Sequence, residues 1–241
     1  MTDTVQSMKL SVDGHQAHYL KAGSGPPVVL LHGGASDSSD WMGTMRALSS
    51  YYSFYAPDII GYGLSDHVKS TYHLEDFVRF TGGFIQEMSL DKPVLIGHSL
   101  GGRICLEIAF RYPEMVSKLV LIDTMGFSKV ARLGSWFGTL LWGVRKALGI
   151  PQPYPAILPG EGEEPHWPCL EQLPGLQKPT LIVWKRFDLY FPVASAVRAG
   201  ELIPKSNLVV FPGYGHAPHR ENRGAFNKLL LSFLNSDGKM K

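Results

Sequence analysis

The chain has 241 residues, 44% of them hydrophobic and 18% charged, enough for one folded domain with a modest insertion but not for two full domains. Its 23 basic and 21 acidic side chains leave a formal charge of +2, and no basic run stands out, so nucleic acid is not an expected partner. Met1 to Leu20 lacks the continuous apolar core of a signal peptide, and no uncharged run approaches the about 18 residues that a transmembrane segment needs.

Met8 to Val12 and Gln16 to Lys21 flank Asp13-Gly14 and are expected to form an antiparallel hairpin. After a loop at Gly23 to Pro27, the apolar run Val28 to Leu31 reads as a central strand. Phe54 to Ala56, closed by Pro57-Asp58, reads as the next strand. Leu74 to Met88 carries apolar residues at helical spacing in spite of Gly82-Gly83. Pro93 to Ile96 is a further strand, followed by a helix from Leu100 to Tyr112 that Pro113 ends. Leu119 to Ile122, Thr180 to Trp184 and Leu208 to Phe211 complete the strands, before an amphipathic helix from Arg223 to Leu234. Short strands, apolar on both faces and alternating with helices, predict an α/β fold: a mostly parallel central sheet with helices on both faces.

One stretch breaks this rhythm. Residues 125–178 hold no clear strand, while Val130, Leu133, Phe137, Leu140, Leu141, Val144 and Leu148 follow steps of three and four along one helix face. The following residues 151–168 are proline-rich and read as irregular. The stretch is expected to be an insertion over the carboxyl edge of the sheet, dividing the core into residues 1–124 and 179–241. Of the two cysteines, Cys105 lies in an apolar helical pattern and reads as a small buried hydrophobe. A disulfide with Cys169 is not expected, which fits a reducing cytoplasm.

The chemistry centres on Gly97-His98-Ser99-Leu100-Gly101, which directly follows a predicted strand and opens a helix. A strand-to-helix turn this sharp forces strained backbone angles on its central residue and requires glycine nearby. It lifts the Ser99 hydroxyl above the sheet and turns a helix N-terminus toward any oxyanion formed there. A serine hydroxyl needs a base, and Gly213-Tyr214-Gly215-His216 follows the last strand, where the chain again reaches the carboxyl edge. His216 is the expected base. His98 sits inside the turn and is expected to hydrogen-bond locally, and His219 is a weaker rival.

The third member must be a carboxylate that orients the imidazole. Asp188 follows the strand Thr180 to Trp184 and is the first choice, with Asp123 as competitor or else a loop or helix cap. The oxyanion would be held by the backbone N–H groups of Leu100 and of Gly34, which lies in the loop after Val28 to Leu31. His32 is expected to tie that loop down. No metal set is expected: Pro218 argues against a helix that would align His216 with His219, and His15 and His18 would fall on opposite faces of a strand.

These motifs resemble those of the α/β-hydrolase superfamily over nearly the whole chain outside the insertion. Leu30 to Gly34 resembles its oxyanion loop, Pro57 to Asp66 the loop after the next strand, and Gly97 to Gly102 its nucleophile elbow. Trp184 to Asp188 resembles the segment bearing the acid, and Gly215 to Pro218 with Glu221 and Phe226 resembles the histidine loop and its helix. Two positions depart from the family: arginine is common where this chain has Ile60, and glycine where it has Lys185. The resemblance implies a lid in the insertion, which makes Phe137 and Leu141 candidate substrate-pocket residues. It implies no cofactor, and Ser99 excludes the branches with an aspartate nucleophile. The expected activity is hydrolysis of a small, largely apolar carboxylic ester through an acyl-enzyme. Hydrolytic carbon–carbon cleavage of a diketone is the alternative enzyme reading, and a slow-turnover ligand receptor the non-enzymatic one.

Overall fold

Asp13 and Gly14, at φ 50° and 81°, make the two-residue turn between β1 (Gln6–Val12) and β2 (His15–Ala22), which pair antiparallel with Val12 opposite His15. The computed structural model describes residues 4–34, 36–68, 71–149, 154–155 and 169–237. After the hairpin come β3 (Pro27–Leu31), α1 (Met42–Leu48), β4 (Ser53–Pro57), β5 (Thr71–Tyr72), α2 (Leu74–Glu87), β6 (Val94–His98) and α3 (Leu100–Arg111). Then follow β7 (Leu119–Ile122), α4 (Arg132–Ala147), β8 (Tyr154–Pro155), β9 (Thr180–Phe187), α5 (Val193–Leu202), β10 (Ser206–Tyr214), α6 (Pro218–Glu221) and α7 (Arg223–Asn235).

Eight strands form one sheet in the order β1-β2-β4-β3-β6-β7-β9-β10, antiparallel through the first two pairings and parallel beyond them. This is the mostly parallel α/β sheet that the alternation of elements predicted. The short β5 and β8 pair parallel with each other outside it.

Side chains leave a strand alternately to its two faces, and here both faces are dry. Val28 and Leu30 of β3 belong to the layer built with Met45 of α1 and Phe226 and Leu230 of α7. Val29 and Leu31 belong to the opposite layer, with Phe77 and Phe84 of α2 and Ile104 of α3. Each such side chain contributes about 1.5–3 kcal/mol by leaving water. Cys105 and Cys169 are both buried free thiols in the second layer. Among the described residues, no helix is long and apolar enough to cross a membrane.

Parallel strands send all their carboxyl ends to one edge, and the loops that leave that edge are pinned by buried polar groups. Asp58, just past β4, accepts the backbone N–H of Ser38 at 2.7 Å and of Leu64 at 2.8 Å, and its Oδ2 also lies 2.7 Å from His18 Nδ1. At the same edge the Ala131 N–H donates to the Tyr190 carbonyl at 2.8 Å, and Gly134 lies directly against Leu189 and Tyr190. The start of α4 therefore rests on the turn that follows β9. Phe137 and Leu141 fall on α4, but their side chains lie outside the described part of the structure, as do residues 151–153 and 156–168.

Candidate active site

Ser99 joins β6 to α3 at φ 51°, ψ −112°, a conformation L-residues rarely adopt. The surroundings hold it there. Its N–H donates to the Ile122 carbonyl at 2.9 Å, and its own carbonyl accepts from Arg103 and Met125, each at 3.2 Å. Gly97 and Gly101 face each other across the turn so closely that a β-carbon on Gly97 would strike the Gly101 carbonyl. Residue strain of this kind, held by its surroundings, is how a hydroxyl is kept above a sheet edge.

His216 follows β10 and a bulge between Phe211 and Tyr214. Its Nδ1 lies 2.8 Å from Asp188 Oδ2, and the Asp188 side chain is 0% exposed. The other Asp188 oxygen accepts the Tyr190 N–H at 2.7 Å, while the Tyr190 and Phe191 rings pack on the imidazole at 4.7 and 5.7 Å. A carboxylate is an acceptor only, so it accepts a hydrogen bond from Nδ1–H and leaves the lone pair on Nε2. The turn carrying Asp188 is itself fixed by Trp184, whose indole N–H donates to the Phe191 carbonyl at 3.0 Å.

Ser99 and His216 are linked through the residue between Gly97 and Ser99. His98 Nε2 donates to the His216 carbonyl at 2.5 Å, so the local hydrogen bond expected of His98 falls on the histidine loop itself. Burial holds His98 well below its usual value, with the His219 and His216 imidazoles adding to the effect, so it stays neutral. His219 is likewise pushed down to about 3, chiefly by burial, and stacks on Trp41 at 4.5 Å. No helix aligns His216 with His219, as Pro218 implied, because α6 begins only at Pro218 and leaves His216 outside it. Pro218 is the first residue of α6, where its missing N–H costs nothing, and His219 lies within that helix.

Asp123, the competing acid, is buried at φ 40°, and its Oδ1 accepts the Lys185 N–H at 2.8 Å. It bridges β7 to β9 and caps no helix. Burial, and then the neighbouring Asp188 carboxylate, hold the pKa of its carboxyl well above the usual range. Its second oxygen has no hydrogen-bond partner among the described residues.

Gly34 stands beside Leu100: a β-carbon there would be 3.8 Å from the Leu100 side chain and from the Tyr62 hydroxyl, which is ordinary contact. Its neighbour Gly33 lies against the elbow, since a β-carbon there would be 2.7 Å from His98 Nδ1. His32 ties the loop down as expected. Its Nε2 accepts the Ile59 N–H at 3.0 Å, so its Nδ1 carries the proton and donates to the Gly33 carbonyl at 2.8 Å. Ile60, at the position where arginine is common, is buried in the apolar layer.

Among the described residues, two sets bring potential metal-ligand atoms within 4.8 Å of one another, Asp40 with His98 and His219, and His98 with Asp123 and His216. In the first, Asp40 already pairs with Arg220 at 2.9 Å; in the second, His98 and His216 are engaged in the hydrogen bonds above. Sequence reasoning missed Tyr190 and Lys185 as partners of this site. The signal for Lys185 was its departure from the glycine common at that position.

A family model described as alpha/beta hydrolase fold matches residues 26–151. The 2-hydroxy-6-oxo-2,4-heptadienoate hydrolase of Pseudomonas putida is 26% identical, over 92% of this chain and 93% of its own length. A solved meta-cleavage product hydrolase from Pseudomonas fluorescens superimposes with a TM-score of 0.80 at 27% identity, covering 95% of this chain and 97% of that one. A solved carboxylesterase from Bacillus subtilis superimposes with a TM-score of 0.82 at 24% identity, covering 98% and 93%.

Proposed function

Because the chain belongs to the α/β-hydrolase fold family, we propose that it is a serine hydrolase that cleaves small, largely apolar carboxylic esters. The observation that carries this reading is the 2.8 Å contact between His216 Nδ1 and the buried Asp188 carboxylate, at the same sheet edge as the strained Ser99. In the proposed reaction His216 Nε2 takes the Ser99 proton as Oγ attacks the acyl carbon, and Asp188 stabilises the imidazolium that forms. The Gly34 and Leu100 N–H groups hold the oxyanion. The alkoxide leaves with the proton from His216, and water activated by the same imidazole then releases the acid from Ser99. Residues 125–178 act as a lid over this site.

A second reading, hydrolytic carbon–carbon cleavage of a diketone-type substrate, draws support from the named meta-cleavage relatives at 26–27% identity. It uses the same residues.

The test is steady-state turnover of chromogenic esters over a series of acyl lengths, beside loss of absorbance from a meta-cleavage dienoate. Ser99→Ala should reduce turnover by at least about 10³-fold, and a serine-directed phosphonate should add one mass increment to the wild type and none to the variant. Equal turnover in Ser99→Ala would end the serine mechanism. Faster cleavage of the dienoate than of any ester would select the second reading, and a single slow burst with a retained acyl group would select a receptor.

A further inference from the structure

β9 buries a lysine shortly before Asp188. Lys185 is only 4% exposed, and its ammonium group is met by two hydrogen bonds and one ion pair. The Pro212 carbonyl lies at 3.1 Å, Asn222 Oδ1 at 2.7 Å and Glu221 Oε2 at 3.1 Å. Pro212 lies near the end of β10, and Glu221 and Asn222 close α6, so these partners stand at the two ends of the segment carrying His216. The other Glu221 oxygen accepts the His216 backbone N–H at 3.3 Å. The Lys185 backbone N–H, meanwhile, is held by Asp123 at 2.8 Å.

One side chain thus clamps both ends of the histidine loop to the strand that delivers Asp188. An apolar residue of similar volume would fill the same slot without the cost of stripping water from an ammonium group. Stability gives no reason for a lysine there, whereas the loop it holds does.

We propose that Lys185 is a positioning residue for hydrolysis, which through Glu221 fixes His216 against Asp188 and balances the Glu221 charge behind the imidazole. This rests on the Ser99–His216–Asp188 reading above. The other charged or titratable groups near His216 are Asp188 and Asp123 at the strand ends, Tyr190 packed on its ring, His98 in the elbow, and His219 and Arg220 in α6.

The sign of each perturbation follows from charge. Removing the Lys185 cation leaves the Glu221 carboxylate uncompensated, and both changes favour imidazolium. Lys185→Met should therefore move the His216 titration, and the acid limb of kcat/KM, to higher pH by about half a unit or more. Its kcat should also fall about tenfold or more, with KM within about twofold, because the base is misplaced in the transition state. Lys185→Arg should recover part of both losses. Glu221→Gln leaves the cation in place and should move the titration the opposite way, to lower pH. The double variant Lys185→Met/Glu221→Gln should restore the acid limb but not kcat.

The experiment follows the His216 ring resonances by NMR against pH, assigned by their loss in His216→Gln, alongside kcat/KM profiles on the preferred ester. The resonances report on His216 whether or not an ester turns over, so the two readings fail separately. Full activity in Ser99→Ala overturns the triad. An unmoved His216 titration in Lys185→Met and Glu221→Gln, with kcat intact, overturns the role of Lys185. If Lys185→Met does not fold, Glu221→Gln decides alone, since that side chain is 37% exposed, and a titration that fails to move down refutes the proposal.

Discussion

Asp188→Asn is the most diagnostic substitution at this site, because the structure dictates which way the amide would face. Asp188 Oδ1 accepts the Tyr190 N–H at 2.7 Å and Oδ2 meets His216 Nδ1 at 2.8 Å. An asparagine must keep its oxygen on the Tyr190 N–H, since leaving a buried donor unmet costs about 1–3 kcal/mol. Its NH₂ group is then directed at His216 Nδ1, which must become the acceptor. The proton moves to Nε2, where the lone pair is needed to receive the Ser99 proton. Both hydrogen bonds survive, so thermal unfolding should change little. The wrong tautomer and the lost carboxylate charge should together lower kcat/KM on the preferred ester by about 10³- to 10⁴-fold, or about 4–5.5 kcal/mol of transition-state stabilisation. Asp123→Asn keeps an acceptor for the Lys185 N–H and should fall by no more than about threefold. An Asp188→Asn enzyme retaining more than about a tenth of wild-type kcat/KM would refute this account, and a reversed ranking would move the acid to Asp123.

Ser99→Gly should abolish turnover yet raise stability by about 1–2 kcal/mol in urea unfolding, because glycine relieves the strain at φ 51°, ψ −112°; a loss of stability would refute stored strain. His219, held neutral down to about 3 in the folded state, takes up a proton near 6.5 when unfolded, so its contribution is full above about pH 6.5 and is lost as pH falls toward 3. His219→Gln should flatten the fall in unfolding free energy between about pH 6.5 and 4 by up to about 1.4 kcal/mol per pH unit; equal slopes would refute it. If the insertion shapes the pocket, Phe137→Ala or Leu141→Ala should reorder the preferred acyl lengths while phosphonate labelling of Ser99 persists. A lower melting temperature with an unchanged order would leave α4 a packing element only.

The sheet was legible because its signals are local. A short run such as Val28 to Leu31 fits only a strand buried on both faces, and Asp13-Gly14 names its own turn. The elbow was legible for the same reason: Gly97, Ser99 and Gly101 lie within one turn of chain, and the steric need for glycine can be read from their spacing. Partnerships between distant elements were less legible. The pairing of His216 with Asp188 across two loops could be expected from topology, because all parallel strands open on one edge. The hydrogen bond from His98 to the His216 carbonyl could not, since it depends on how deeply the last loop folds back over the elbow. Pro218 rightly argued against a helix through both His216 and His219, but the short α6 that it opens was not foreseen, since at a first helical position proline's missing N–H is one that no helix satisfies.

Lys185 and Asp123 show where a pattern of residue types stops carrying information. Both are charged residues at the ends of apolar strands, and position alone gave Asp123 the stronger claim to chemistry. Their environments separate them. Among the described residues, Asp123 has one partnered and one unpartnered oxygen beside another carboxylate, conditions that disfavour its charge. Lys185 donates to two oxygens and pairs with the Glu221 carboxylate. A buried charge met by hydrogen bonds and an ion pair holds in place whatever supplies its partners, and here those partners bracket His216. The position where the family commonly has glycine is thereby tied to the geometry of the proposed base.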